Sequence, residues 1–348
     1  MSYRIGQAAL NLQPTERVAR SEFVYNWDVI RHYTGRDPRT DPGAEKAFND
    51  LMGINFIWQT NDGPVHWRDR GRITDMGHAV WLADGSDFRP MLPCPFKTAD
   101  EVLKFDAVEE YGLPDFDELV DYYENWYQTT RRYNNHQVIP GGYYNTLMSG
   151  AIQAFGWEML LIAAGEEPER FGDKVLGSFC ELSLYHCKAW AKTSIDFFEC
   201  HDDMVWTAGP FMHPAFYYKY IFPRYEKIWQ PLIDSGKKIL FTSDGAYDMF
   251  FDPLIKAGAH GFSFEPSNNL ELLAQRYGQD HVLIGGADCR TLTFGTTADI
   301  ERELRWIFDV TRDCRGYIFC AGNQIPANVP LENAIFYFNL VEKLSKRP

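Results

Sequence analysis

With 348 residues, 45% of them hydrophobic and 24% charged, the chain can form two average domains or one large α/β domain with a sizeable core. Its net charge of −14 excludes the basic footprint that nucleic-acid binding requires. Seven cysteines without a CxxC pair, and no apolar run near the roughly 18 residues of a membrane span, point to a soluble, cytoplasmic protein with reduced thiols.

Residues 1–52 read as an N-terminal helical cap: a short helix from Thr15, aromatic residues from Phe23 to Ile30, a proline-rich turn, and a helix over 44–52 that Gly53 ends. Residues 53–348 read as one continuous unit without a linker. A first strand over 54–58 leads into Gln59, Thr60, Asn61 and Asp62, and 63–97 reads as a hairpin-like excursion. Thr98 with Glu101 marks a helix start, and 115–134 has a helical pattern rich in tyrosine. A short strand over 137–140 runs into Tyr143 and Tyr144, and two helices follow, over 149–164 and 168–193.

The apolar run 195–198 then delivers Glu199, His201, Asp202 and Asp203 in succession. Beyond it the alternation is regular: helix 214–235, strand 238–242, helix 248–257, strand 261–264, helix 270–277, strand 281–285, helix 297–309, strand 316–319 and helix 331–346. Strands alternating with helices of this length predict parallel βαβ units.

The strand exits carry acids and amides: His201-Asp202-Asp203, Asp244, Glu265, Asp288 and Asn323. In parallel α/β folds that rim is where ligands bind and chemistry occurs. Each of these residues alone also has a plain structural use as a helix cap or turn former, which weighs equally for Asp288 and Asn323. For Asp244 and Glu265, beside glycine or proline at a strand exit, function outweighs it. Trp58, Tyr143, Tyr144, Trp206 and Phe211 are candidates to stack on a bound ring, against the ordinary alternative of core packing.

Gly209-Pro210-Phe211, Asp244-Gly245, Ala257-Gly258-Ala259, Ile284-Gly285-Gly286-Ala287-Asp288, Gly295-Thr296 and Ile325-Pro326 ahead of Pro330 stand in an order that resembles the uroporphyrinogen decarboxylase superfamily, from about residue 195 onward. The resemblance implies a single (β/α)8 TIM barrel, here with the N-terminal helical cap and the hairpin excursion. Two departures select a branch. The porphyrinogen decarboxylases carry an N-terminal arginine segment that grips the substrate carboxylates, whereas Trp58 to Asp62 holds no arginine. Where the superfamily's zinc methyltransferases place histidine and cysteine ligands, this chain has Thr242, Asp244 and Asn323, a poor set for zinc.

The chain is therefore similar to the corrinoid-linked methyltransferases that demethylate oxygen or nitrogen donors. That implies transfer of a methyl group from a small donor, a methoxylated aromatic, to the cobalt of cobalamin on a partner corrinoid protein. His201, Asp202, Asp203, Asp244 and Glu265 are the expected catalytic residues, since a leaving phenolate or amine needs a proton or a Lewis acid. Trp58, Asp62, Tyr143, Tyr144, Trp206, Phe211, Asp288 and Asn323 are the expected donor-binding residues. A bound metal, if used, would sit on His201, Asp203, Asp244 and Glu265. A decarboxylating carbon–carbon lyase and a non-catalytic ligand-binding barrel are the alternatives. No membrane partner is expected, and a homodimer is compatible with the sequence.

Overall fold

The structure, a computed structural model, describes residues 2–76 and 93–347. Its strands are β1 (Ala19–Arg20), β2 (Gly141–Tyr143), β3 (Phe197–His201), β4 (Val205–Trp206), β5 (Gly209–Pro210), β6 (Lys238–Thr242), β7 (Ala259–Ser263), β8 (Val282–Ala287) and β9 (Gly316–Ala321). Seven of them form one sheet in the order β1-β9-β8-β7-β6-β3-β2, every pairing parallel. The eighth stave is the segment around Phe56. Asn55 N donates to Arg20 O at 2.8 Å on one side, and Ile57 N donates to Val138 O at 3.1 Å on the other. Those bonds join β1 to the β2 side, and the sheet closes into a (β/α)8 barrel.

Alternation along each strand separates two cores. Phe56, Val138, Phe197, Leu240, Val282, Ile284 and Ile318 fill the barrel interior. Phe198, Cys200, Ile239, Phe241, Leu283, Tyr317 and Phe319 face outward to the helices. Among the described residues, side chains packed inside the barrel leave room for a ligand at its mouth.

Two expectations change. The N-terminal helix is Ser2–Leu10, not a helix from Thr15, and Ala19–Arg20 is a barrel stave, so part of the 1–52 span is built into the barrel. Two residues of strand are too short for a periodic signal. Helix Ser2–Leu10 lies across the N-terminal ends of the strands, where Ile5, Ala9 and Leu10 join the inner core and His260 Nε2 bonds Leu10 O at 2.7 Å. The hairpin excursion over 63–97 falls partly on 77–92, outside the described residues. Among the described residues of that span the only regular element is a 3-10 turn, Trp67–Asp69. A two-stranded ribbon does cross the mouth, but it is β4 with β5, after β3.

Helix ends obey local chemistry where the sequence suggested them. Thr98 caps Ala99–Leu103, and Asp115 caps Phe116–Tyr133 by accepting from Asp117 N and Glu118 N. The helix Cys289–Phe294, capped by Asp288, was not anticipated.

Candidate active site

Strand β3 sets the geometry. Phe197, Glu199 and His201 point inward, and the strand ends on His201. Its Nε2 lies 2.8 Å from Asp203 Oδ1. Asp203 is fixed from three further sides: its N–H donates to Ser149 Oγ at 2.7 Å, Tyr144 OH donates to Oδ2 at 3.1 Å, and Asp244 N donates to Oδ1 at 3.2 Å. Tyr144 and Trp58 box the imidazole, with ring centroids 4.0 and 5.4 Å away. One ligand-type atom each from His201, Asp203 and Asp244 lies within 4.8 Å of the others.

Asp244 owes its place to Gly245. A Cβ on Gly245 (φ 81°) would stand 2.3 Å from Trp206 O, so only glycine lets β6 turn out against the ribbon. Gly245 N also donates to Glu265 Oε2 at 2.8 Å, and Asn323 Nδ2 donates to Glu265 Oε1 at 3.3 Å. Gly245→Ala is expected to lower stability by about 2–4 kcal/mol through the clash and the left-handed backbone. Urea unfolding at neutral pH measures this, and a change below about 0.5 kcal/mol would contradict the close approach.

These groups open on a cavity of about 570 Å³ at the C-terminal mouth of the barrel. Trp58, Tyr144, Trp206, His201, Asp203, Asp244, Glu265 and Asn323 line it as expected, together with Trp157 and Phe264.

The other predicted residues lie elsewhere. Asp202 is turned away into the outer layer, where it accepts from Ser149 N at 2.6 Å, Leu147 N at 3.3 Å and Tyr225 OH at 2.5 Å. It anchors the start of helix Met148–Glu166, and the alternation of the strand puts it opposite in sense to its neighbours. Asp62 sits behind the wall, holding Tyr144 N at 2.6 Å and Asn145 Nδ2 at 2.8 Å, and it positions Tyr144 without lining the cavity. Tyr143 is core, stacked on His186 at 4.8 Å. Phe211 backs the wall, packing on Trp157 and Trp206 at 5.1 and 5.7 Å. Asp288 is a helix cap paired with Arg290 at 2.7 Å, outside the cavity.

Burial opposes charge on His201, yet Asp203, followed by Asp244 and Glu199, holds its pKa up to about 9. Burial would also raise Asp203, but the imidazolium holds its carboxyl below the usual range. Burial, then the like charges of Asp203 and Glu265, raises Asp244. Burial pushes Glu199, which is 0% exposed, up to about 8. The floor therefore holds a His201–Asp203 ion pair beside two carboxyls, Asp244 and Glu199, whose raised pKa favours the protonated form and so keeps a proton donor available.

Residues 73–344 match the family described as uroporphyrinogen decarboxylase (URO-D), 272 of 348 residues. The chain belongs to the uroporphyrinogen decarboxylase family. The match reaches well ahead of residue 195, where the motifs become legible. Curated relatives called uroporphyrinogen decarboxylase are distant. The protein of Syntrophotalea carbinolica is 27% identical over 198 residues, 57% of this chain and 55% of that one. The protein of Geotalea uraniireducens is 26% identical over 284 residues, 79% of this chain and 78% of that one. The chain thus spans about half the length of the Syntrophotalea relative. Among solved structures, a methyltransferase from Methanosarcina mazei superposes with a TM-score of 0.66 over 98% of both chains at 15% identity, a likeness of fold. No helix among the described residues is long and apolar enough to cross a membrane.

Within this uroporphyrinogen decarboxylase-family barrel, the cavity groups that sequence reasoning did not assign to the site include Glu22, Phe23, Tyr25, Trp157, Phe264 and Gln324. Glu22 and Gln324 follow β1 and β9, and Trp157 lies just beyond the kink at Gly156 in helix Met148–Glu166. Glu199 stands in the acidic run but inside the strand, and its period-2 spacing from His201 was the signal that both face inward.

Proposed function

We propose that the chain is a methyltransferase that moves a methyl group from a small methoxylated aromatic to the cobalt of a partner corrinoid protein. The observation that carries this reading is the wall of the cavity. Seven rings (Phe23, Tyr25, Trp58, Tyr144, Trp157, Trp206 and Phe264) and four acids (Glu22, Asp203, Asp244 and Glu265) line it, with no lysine or arginine among the described residues. A flat apolar ring suits such walls, and a porphyrinogen bearing many carboxylates does not.

The corrinoid would supply the nucleophile that takes the methyl carbon. This chain holds the ether against its ring wall, shuts out water and delivers a proton. As the C–O bond breaks, its electron pair stays on oxygen, and the protonated carboxyl of Asp244 gives that oxygen its proton. Burial, then the negative charges of Asp203 and Glu265, keeps Asp244 protonated against the opposing imidazolium of His201. His201, Asp203 and Asp244 would also hold a divalent cation, which would polarise the ether oxygen in place of that proton. The hydrogen bond that already occupies His201 Nε2 favours the proton, and a single imidazole with two carboxylates is a weaker zinc set than one richer in histidine or cysteine.

The test is incubation with a reduced corrinoid protein and a panel of methoxyarenes, read by the change in cobalamin absorbance. Asp244→Asn is expected to lower the rate about 10²–10⁴-fold, and dialysis against a chelator to leave it unchanged. No absorbance change with any donor, beside a working control, defeats the methyltransferase. A chelator-sensitive rate would replace the proton by a metal. The names of the curated relatives favour a decarboxylase instead, and uroporphyrinogen consumption in a parallel assay would establish that reading.

A further inference from the structure

Helix Met148–Glu166 is broken in its middle. Gly156 adopts φ 69° and ψ 167°, a region closed in practice to every residue that carries a side chain. Ser149 and Ile152, from the first half of the helix, line the cavity. On a regular helix that face would run on to position 156, and residue 157 would stand about 100° farther round. The turn of the chain at Gly156 brings Trp157 back, and its indole lines the cavity.

The break is held from outside the helix. Gln153 O accepts from Thr74 N at 2.9 Å and from Thr74 Oγ1 at 2.8 Å, and Phe155 O accepts from Cys94 Sγ at 3.1 Å. The first half is tied to the end of β3, where Asp202 accepts from Ser149 N at 2.6 Å. Trp157 meets Trp206 at 5.8 Å and Phe211 at 5.1 Å, and Trp206 is itself seated by the close approach of Gly245. A Cβ on Gly156 would touch Thr74 Cγ2 at 3.5 Å and Met76 Cγ at 3.9 Å, both ordinary contacts, so space does not demand a glycine there. The backbone conformation does, and that conformation places Trp157.

We propose that Gly156 is a positioning residue: its backbone sets Trp157 beside Trp206 as a pair of indoles on which a planar ligand stacks. A strained backbone position persists only where its surroundings hold it, and here the hold and the ring belong to one wall of the cavity. The proposal takes an aromatic ligand from the methyltransferase reading and needs no methyl transfer.

The full chain carrying 5-fluorotryptophan has ten labelled indoles, and single phenylalanine variants assign the fluorine resonances of Trp157, Trp206 and Trp190. Gly156→Ala is expected to shift the Trp157 and Trp206 signals and to leave that of Trp190, buried in the outer core, in place. Gly165→Ala, in the same helix with open space for a methyl group, should move none of them. If Gly156→Ala does not fold, Thr74→Val decides, because it removes one bond to Gln153 O without restraining the backbone of the helix, and the Trp157 signal should shift. An unmoved Trp157 signal in the deciding variant overturns the proposal. In calorimetric titrations with methoxybenzene, Gly156→Ala and Trp157→Ala are each expected to weaken binding about three- to tenfold. The double variant should bind no more weakly than Trp157→Ala, because the glycine acts through that ring. Additive losses, affinity that survives Trp157→Ala, or a wild type that does not bind methoxybenzene overturn it as well. Binding that follows the expected pattern without methyl transfer to cobalt keeps the positioning role and removes the methyltransferase. Undiminished methyl transfer in Trp157→Ala does the reverse.

Discussion

Replacing Asp202 by alanine is expected to lower the unfolding free energy by about 3 kcal/mol or more, since three buried donors would lose their acceptor together. Leu147 N and Ser149 N belong to the opening turn of helix Met148–Glu166, and Tyr225 belongs to helix Phe222–Asp234. One carboxylate therefore ties the end of β3 to two helices. Ser149 Oγ accepts from Asp203 N, so the site should loosen as well as the fold. Denaturant titration gives the stability, and Tyr225→Phe isolates one of the three bonds, with an expected loss of about 1 kcal/mol. A full-strength site in an Asp202→Ala protein as stable as the wild type would remove Asp202 from this role.

The second large effect concerns pH. Burial raises the Glu199 carboxyl from 4.5 to about 8, so the folded state binds a proton that the unfolded chain has released. Its contribution to stability is fully present below about 4.5 and is lost as pH rises toward 8. His201, raised from 6.5 to about 9, loses stability in the same direction over the upper part of that range. Glu199→Gln keeps an acceptor for Thr242 and cannot ionise. The variant should match the wild type near pH 5 and exceed it by roughly 1–3 kcal/mol at pH 9, leaving a shallower slope due to the other raised groups, among them His201, Asp244 and Glu22. Parallel slopes for the two proteins would mean that Glu199 is ionised in the fold at neutral pH.

Legibility along the chain followed the strength of local signals. From His201 to the C-terminus, long amphipathic helices and apolar strands made the barrel readable, and the strand exits placed His201, Asp203, Asp244 and Glu265 on one rim before any coordinates. The stave Ala19–Arg20 was hidden because two residues carry no period, and with it Glu22 stayed unseen. Asp202 misled for a different reason: acids adjacent in sequence face opposite ways on an extended chain, and composition does not say which one faces the cavity. Tyr143 and Tyr144 divide in the same manner, one stacked in the core and one on the imidazole. Asp288 was the cap that its position beside Cys289–Phe294 permits.

Helix Ser2–Leu10 closes the end of the barrel opposite the cavity, with Ile5, Ala9 and Leu10 packed into the inner core. Among the described residues the chamber is then a cul-de-sac that opens at the mouth. Under the proposed transfer, the small donor must already be inside when the corrinoid protein settles over the opening, and its demethylated remnant can leave only after that protein withdraws. Steady-state kinetics with both reactants varied should accordingly follow a compulsory order, small molecule first on and its product last off.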